Sequence, residues 1–197
     1  LRGLGKVQDA GVQAEQIRQL EALRTAVTEG SLERLFIAEA LAHTHWAYDR
    51  RDQALAVIEA ALAEVRSAHG GRVPNDADSV LNRYVGWLRH LKRFAAAERV
   101  LLAEMELWDL PAPRRRLRDR LFGLYVEALR HAGSVSLGRG ERLFVAAAER
   151  MHAAMLQDPP NASGVLNNFC QLHRRAAERR TPADAGARLE RFGREAL

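Results

Sequence analysis

Two octapeptides that lie 43 residues apart, AEALAHTH at 38–45 and LNRYVGWL at 81–88, place apolar residues at their first, fourth and fifth positions. This spacing is typical of one face of an α-helix. The segments that follow them recur at the same distance, with Ala54, Ile58 and Ala61 corresponding to Ala97, Leu101 and Glu104. The sequence therefore predicts a pair of helices that repeats with a period of 43 residues.

The same pattern extends beyond these two copies. Leu166-x-x-Phe169-Cys170-x-x-His173 lies 85 residues after Leu81, which is close to two periods. The intervening segment, about 117–157, fits a third copy, but the glycine-rich residues 133–140 blur its register. Helical periodicity runs through nearly the whole chain, and no convincing strand is visible. We expect helices over about 10–28, 31–48, 52–68, 76–91, 94–110, 114–132, 141–157, 162–179 and 182–196.

Local signals place several helix boundaries. Ser31 is a good N-cap for the second helix, and Thr181 followed by Pro182 is a good start for the last one. Residues 69–75 form a loop with glycine and proline, and Pro111 and Pro113 are expected to end the fifth helix. Composition agrees with an all-α fold, because the chain is 47% hydrophobic, 28% charged and only 6% aromatic.

The alternation of large and small apolar residues resembles the tetratricopeptide repeat family. The period is longer than the commonest one and resembles that of kinesin light chains and of bacterial multidomain signalling proteins. The resemblance rests on the His69–Pro74 loop, on Leu81-Asn82-Arg83 and Leu166-Asn167-Asn168, and on the turn at Lys92-Arg93-Phe94. It implies a right-handed α-solenoid of antiparallel hairpins over 31–70, 76–110, 114–157 and 162–197. Residues 1–30 would then end a preceding repeat or cap the array.

The resemblance also implies a site. In tetratricopeptide proteins, the first helix of each hairpin lines a concave groove that binds an extended peptide or a partner helix. Asn offers both a donor and an acceptor to a peptide backbone, and Arg suits carboxylates. The corresponding face here carries Phe36, Glu39, His43, Trp46, Ser79, Asn82, Gly86, Arg89, Gly164, Asn167, Gln171 and Arg174.

Charge suggests an alternative. The net charge is +5, and it is uneven, with −2 over residues 1–110 and +7 over residues 111–197. The densest basic run, Arg114, Arg115, Arg116 and Arg118, opens a predicted helix, where positive charge opposes the helix dipole. It is a candidate contact for an anionic partner, including nucleic acid. Aromatic residues interleaved for base stacking are absent from it, since Phe122 and Tyr125 fit the core stripe.

Catalytic and metal chemistry find little support. His43 and His45 are two apart, so they point to different sides of a helix. Cys170 and His173 have the spacing of a nucleophile and its base, but Cys170 occupies a packing position and is expected to be a buried structural thiol. The glycines at 133–140 follow no strand and precede no Lys-Ser/Thr pair, so they do not form a phosphate loop. We expect no enzyme activity, no metal and no cofactor in this chain.

We therefore expect a protein–protein interaction module that acts as a scaffold or as the sensor arm of a larger protein. The alternatives are a nucleic-acid-binding repeat that uses residues 114–197, and the regulatory array of an enzyme whose nucleotide-binding switch or caspase-like protease lies outside this chain. The chain begins without Met and ends within a helical pattern, so we expect a piece of a longer bacterial protein. No apolar run of about 18 residues and no signal peptide is visible, which favours a cytoplasmic location without membrane contact.

Overall fold

The part of the chain that its computed structural model describes comprises residues 2–107, 111–132, 149–154, 156–157, 167 and 170–171, and it consists of helices joined by short turns and loops. No strand occurs among these residues, and none of their helices is long and apolar enough to cross a bilayer. The expectations for 133–148, 158–166 and 172–197 lie outside the described residues. The helices are α1 (Arg2–Ala26), α2 (Leu32–Ala47), α3 (Arg51–Ala68), α4 (Asp78–His90), α5 (Phe94–Leu107) and α6 (Pro111–Ala132).

The helix boundaries differ from the predicted ones at three places. α1 begins at Arg2 rather than near residue 10. α4 begins at Asp78, because Asn75–Ala77 form a 3₁₀ turn ahead of it. Pro111 was expected to stop a helix, but it begins α6. A proline is well tolerated there, since the first helical residues have no intrahelical acceptor for their N–H groups.

α2 and α3 form the hairpin that the first repeat predicts. The Ser31 hydroxyl accepts a hydrogen bond from the Arg34 backbone N–H and caps α2 as expected. Ala42 and Ala54 have no exposed surface, so the two helices approach closely where the pattern places small residues. Ile58 on α3 is equally buried.

The repeat is also visible in the backbone. Two residues after α2, Asp49 has a φ of 63°, and the Arg50 N–H donates to the His45 carbonyl at 2.9 Å. Two residues after α4, Lys92 has a φ of 60°, and the Arg93 N–H donates to the Leu88 carbonyl at 2.8 Å. Both turns are Schellman-type helix ends, and they lie 43 residues apart. The sequence period therefore corresponds to a structural one.

The chain forms two compact units, residues 1–93 and residues 94–197. Their boundary falls in the α4–α5 turn, inside the hairpin predicted over 76–110. In the first unit, α1 packs on α2, α2 on α3, and α3 on α4. Glu64 of α3 joins these elements, because its carboxylate pairs with Arg24 of α1 at 2.6 Å and with Arg34 of α2 at 3.0 Å. The core of this unit includes Leu35, Ala38, Leu41, Leu62, Val65, Val80, Leu81, Tyr84 and Leu88.

In the second unit, α5 packs against α6. The buried residues of α6 give the register of the third copy, which the sequence left open. Phe122, Tyr125 and Val126 are buried on α6, with the same spacing as Leu81, Tyr84 and Val85 on α4. The Tyr125 hydroxyl donates to Glu98 of α5 at 2.6 Å, and burial raises the pKa of this phenol. Tyr84 likewise bonds Glu59 of α3, and burial with this bond raises its pKa to about 12. The third copy therefore begins with Phe122-x-x-Tyr125-Val126, 41 residues after its counterpart.

Candidate functional site

Three side-chain contacts define how α2 and α4 lie in the first unit. Arg83 donates to Glu39 at 2.6 Å. The rings of His43 and Trp87 have centroids 6.4 Å apart, and those of Trp46 and His90 are 5.6 Å apart. The two partners of each contact are separated by 44 residues, so each step along α2 is matched by an equal step in the same direction along α4. α2 and α4 therefore lie side by side and run in the same direction.

An aromatic cluster joins the carboxyl-terminal halves of these helices; it consists of Trp46, Trp87, His90 and Arg51. The indole rings of Trp46 and Trp87 stack at 4.5 Å with 5° between their planes. The Arg51 guanidinium lies 4.3 Å from the Trp46 ring centroid, and His90 meets the ring edge-on. Stacked aromatic pairs and cation–π contacts each stabilise a fold by about 0.5–1.5 kcal/mol. The cluster therefore fixes the relative position of α2 and α4.

One exposed face remains across the two helices. We call the exposed side chains Phe36 and His43 of α2 with Ser79 and Asn82 of α4 the outer row. They lie on the sides of α2 and α4 that point away from α3, since Ala38, Leu41, Leu81 and Tyr84 occupy the buried sides. Phe36 keeps 42% of its surface exposed. The side chains of Ser79 and Asn82 form no hydrogen bond with another described residue.

The floor beside the outer row is made of small residues. Gly86 is half-buried on α4, and a Cβ placed on it would meet nothing within 4 Å. Ala40 and Ala47 of α2 are exposed on the side that carries Phe36 and His43. A partner's main chain can therefore approach both helices closely at this face.

The other predicted groove residues are distributed as follows. Glu39 and Trp46 are half-buried, because they contact Arg83 and Trp87. Arg89 is half-buried on α4. In the second unit Asn167 is exposed and Gln171 is half-buried, whereas Gly164 and Arg174 lie outside the described residues.

Sequence reasoning missed Arg83, Trp87 and His90, which meet the predicted face of α2. These residues lie one position beyond the repeat equivalents Asn82, Gly86 and Arg89. The sequence did contain a signal for them. Two neighbouring parallel helices do not meet through equivalent positions of the repeat, because the contacting residues are shifted by about one position, which is a fraction of a helical turn. An offset of 44 instead of 43 finds the three pairs.

The basic run on α6 is only partly exposed. Arg114 and Arg116 are exposed, whereas Arg115 and Arg118 are half-buried. Arg118 lies 4.0 Å from Asp119. Burial raises the pKa of the Asp119 carboxyl, and the two half-buried guanidinium groups, Arg118 and Arg115, partly offset the rise. Half of the run therefore belongs to the helix packing of the second unit.

The histidines and the cysteine are placed apart from one another. His43 is exposed and His45 is 7% exposed, which confirms that they point to different sides of α2. Cys170 is exposed, so the expectation of a buried thiol was wrong. Glu104, at a position where the repeat usually has alanine, is completely buried. Among the described residues, no group of three or more His, Cys, Asp or Glu side chains has the arrangement of a metal site.

Comparisons with known protein families, curated proteins and solved structures find no match to this chain. The resemblance to tetratricopeptide repeats therefore rests on the residues quoted above.

Proposed function

We propose that the first unit is a protein–protein interaction module that binds an extended peptide segment of its partner along α2 and α4. The observation that carries this proposal is the outer row, in which an exposed aromatic ring and two polar side chains without hydrogen-bond partners among the described residues lie beside a floor of small residues. Covering Phe36 removes apolar surface from water. Asn82 can donate to and accept from one peptide unit, which suits recognition of a main chain.

The rigidity of the face supports the proposal. The Trp46–Trp87 stack and the Glu39–Arg83 pair hold α2 and α4 in one arrangement before a partner arrives. A preorganised surface loses less side-chain entropy on binding than a mobile one. The charge of Arg83 on this face is offset, because Arg83 is paired with Glu39. The face is therefore better suited to peptide main chain and apolar side chains than to a polyanion.

The test begins with selection of binding peptides from a random peptide library displayed on phage, with the whole chain as bait. The dissociation constant of a selected peptide is then measured by fluorescence anisotropy for the wild type and for Phe36→Ala and Asn82→Ala. We expect Phe36→Ala to weaken binding by about tenfold or more, since burial of a Phe side chain contributes about 1.5–3 kcal/mol. Asn82→Ala should weaken it severalfold, because one hydrogen bond contributes about 0.5–1.5 kcal/mol.

Matched controls come from exposed positions on other faces. Leu23 of α1 is an exposed apolar residue, and Gln53 of α3 is an exposed polar one. Leu23→Ala and Gln53→Ala should leave the affinity unchanged. Equal weakening by the controls would contradict the proposal. Displacement of the peptide by single-stranded DNA, with loss of binding in Arg114→Ser/Arg116→Ser, would favour the nucleic-acid alternative instead.

A further inference from the structure

His45 is a buried histidine of α2, the helix on which α1 packs. It is 7% exposed, and its Nδ1 atom is buried without a hydrogen-bond partner among the described residues. A neutral imidazole tolerates this site, because it can carry its single proton on Nε2. Protonation of the ring places a second N–H on Nδ1, where no described acceptor lies within reach. A buried donor without an acceptor is unfavourable, so the charged ring fits the packed structure poorly.

The charged groups around His45 reinforce this preference. Arg50, directly before α3, donates its N–H to the His45 carbonyl, and its positive charge disfavours the imidazolium. Glu21 of α1 brings a negative charge. The 3₁₀ turn carries Asp76 at an exposed position, and α4 directs Arg83 and His90 at Glu39 and Trp46 rather than at His45. Burial lowers the pKa of His45, Arg50 lowers it further, and Glu21 opposes both.

Residues 11–26 of α1 bury fewer side chains than α2, α3 or α4. Over residues 11–26, only Gln13 and Ile17 are buried, and only Ile17 of these is apolar. Arg24, among these residues, also pairs with Glu64 of α3, and both side chains are partly exposed. α3, by contrast, buries six side chains from Ala54 to Val65. Local opening proceeds through the element with the least buried surface.

We propose that α1 is a detachable helix whose docking on α2 is released by mild acid, with His45 as the group that takes up the proton. The undocked state hydrates the imidazolium, so His45 regains its ordinary proton affinity there. Because the docked state binds fewer protons, docking is favoured above the ordinary histidine pKa of about 6.5 and is weakened as the pH falls below it. The chain thereby gains a pH-controlled way to uncover part of α2.

The test is hydrogen exchange of the whole chain, read by mass spectrometry at pH 7.5 and pH 5.5 and corrected for the intrinsic pH dependence of exchange. We expect peptides from residues 11–26 to lose protection severalfold at the lower pH, while peptides from residues 54–65 keep theirs. His45→Gln, which cannot be protonated, should abolish the pH dependence of α1. His69→Gln, at an exposed histidine that follows α3, should retain it.

A second variant keeps the test decisive if His45→Gln undocks α1 at both pH values. Glu21 is exposed, so Glu21→Gln should fold, but it removes the charge that favours the imidazolium in the docked state. The pH at which α1 loses half of its protection should therefore rise. Three results would overturn the proposal: equal protection of α1 at both pH values in the wild type, an unchanged midpoint in Glu21→Gln, or simultaneous loss of protection in α1 and α3.

Discussion

Gly30, between α1 and α2, is the position where the addition of a single methyl group should cost most. Its φ is +74°, and a Cβ built on it would lie 2.6 Å from the Cβ of Ala68 and 3.2 Å from the Glu64 carbonyl oxygen. Gly30→Ala therefore incurs two costs. The left-handed backbone costs an L-residue about 1–2 kcal/mol. Relief of the overlap with α3 costs about 1–3 kcal/mol, as in other overpacked sites.

The net cost is smaller than this sum, because replacement of Gly by Ala lowers the conformational entropy of the unfolded chain. This effect stabilises the folded state by about 0.4–1 kcal/mol. We therefore expect Gly30→Ala to lower the free energy of unfolding by about 1–5 kcal/mol. Gly70 is a matched control, because its φ is +67° and a Cβ there would meet nothing within 4 Å. Gly70→Ala should cost only about 1 kcal/mol, the backbone cost less the entropy gain.

The measurement is urea denaturation followed by circular dichroism at 222 nm, with the midpoint and the m value fitted for each variant. The difference between the two variants isolates the contact with Ala68. Ala68→Gly removes the atom that is 2.6 Å away, so it should recover part of the loss in a Gly30→Ala background. Equal losses for Gly30→Ala and Gly70→Ala, without recovery by Ala68→Gly, would refute the close approach of the α1–α2 turn to α3.

Three further predictions use the same denaturation assay. Asp49→Gly and Lys92→Gly should each raise the free energy of unfolding by about 1 kcal/mol and so raise the urea midpoint, because both residues have a positive φ. A lower free energy of unfolding in either variant would mean that the side chain itself stabilises the turn. Replacement of Trp46 and Trp87 by leucine, singly and together, should give a coupling energy of about 0.5–1.5 kcal/mol, and additive losses would contradict the stack. The raised pKa of Tyr84, about 12, means that the folded state keeps the phenolic proton above pH 10 and loses stability as the pH rises from there. Tyr84→Phe should lose this part of the pH dependence between pH 10 and 12, and an unchanged profile would count against burial of the hydroxyl.

The sequence predicted the α2–α3 hairpin because its determinants are local. The apolar spacing of α2 and α3, the Ser31 cap and the 43-residue period all follow from the geometry of a single helix or a single turn. The start of α6 was missed because Pro111 and Pro113 can either end one helix or begin the next, and sequence alone does not separate these cases. The third register was missed because its copy lies 41 residues from the second rather than 43.

The candidate site was predictable only in part. The exposed positions of Phe36, His43, Ser79 and Asn82 follow from the same helical period as the core. The contacts of α2 with α4 depend instead on how each helix is rotated about its axis, and one residue corresponds to about 100° of rotation. The burial of Glu104 and the exposure of Cys170 also run against the usual preferences of these residue types.

The two units share their packing but not their surface. Tyr84 bonds a glutamate of the preceding helix, and Tyr125 does the same in its own unit. In this register the positions of Ser79 and Asn82 correspond to Arg120 and Gly123 on α6, so neither polar residue of the outer row is copied there. Buried positions repeat because each hairpin has to cover the next, whereas exposed positions are free of that constraint. A surface that differs between copies of one packing pattern is where specificity for a partner can reside, so we expect a selected peptide to bind at α2 and α4 rather than at α6.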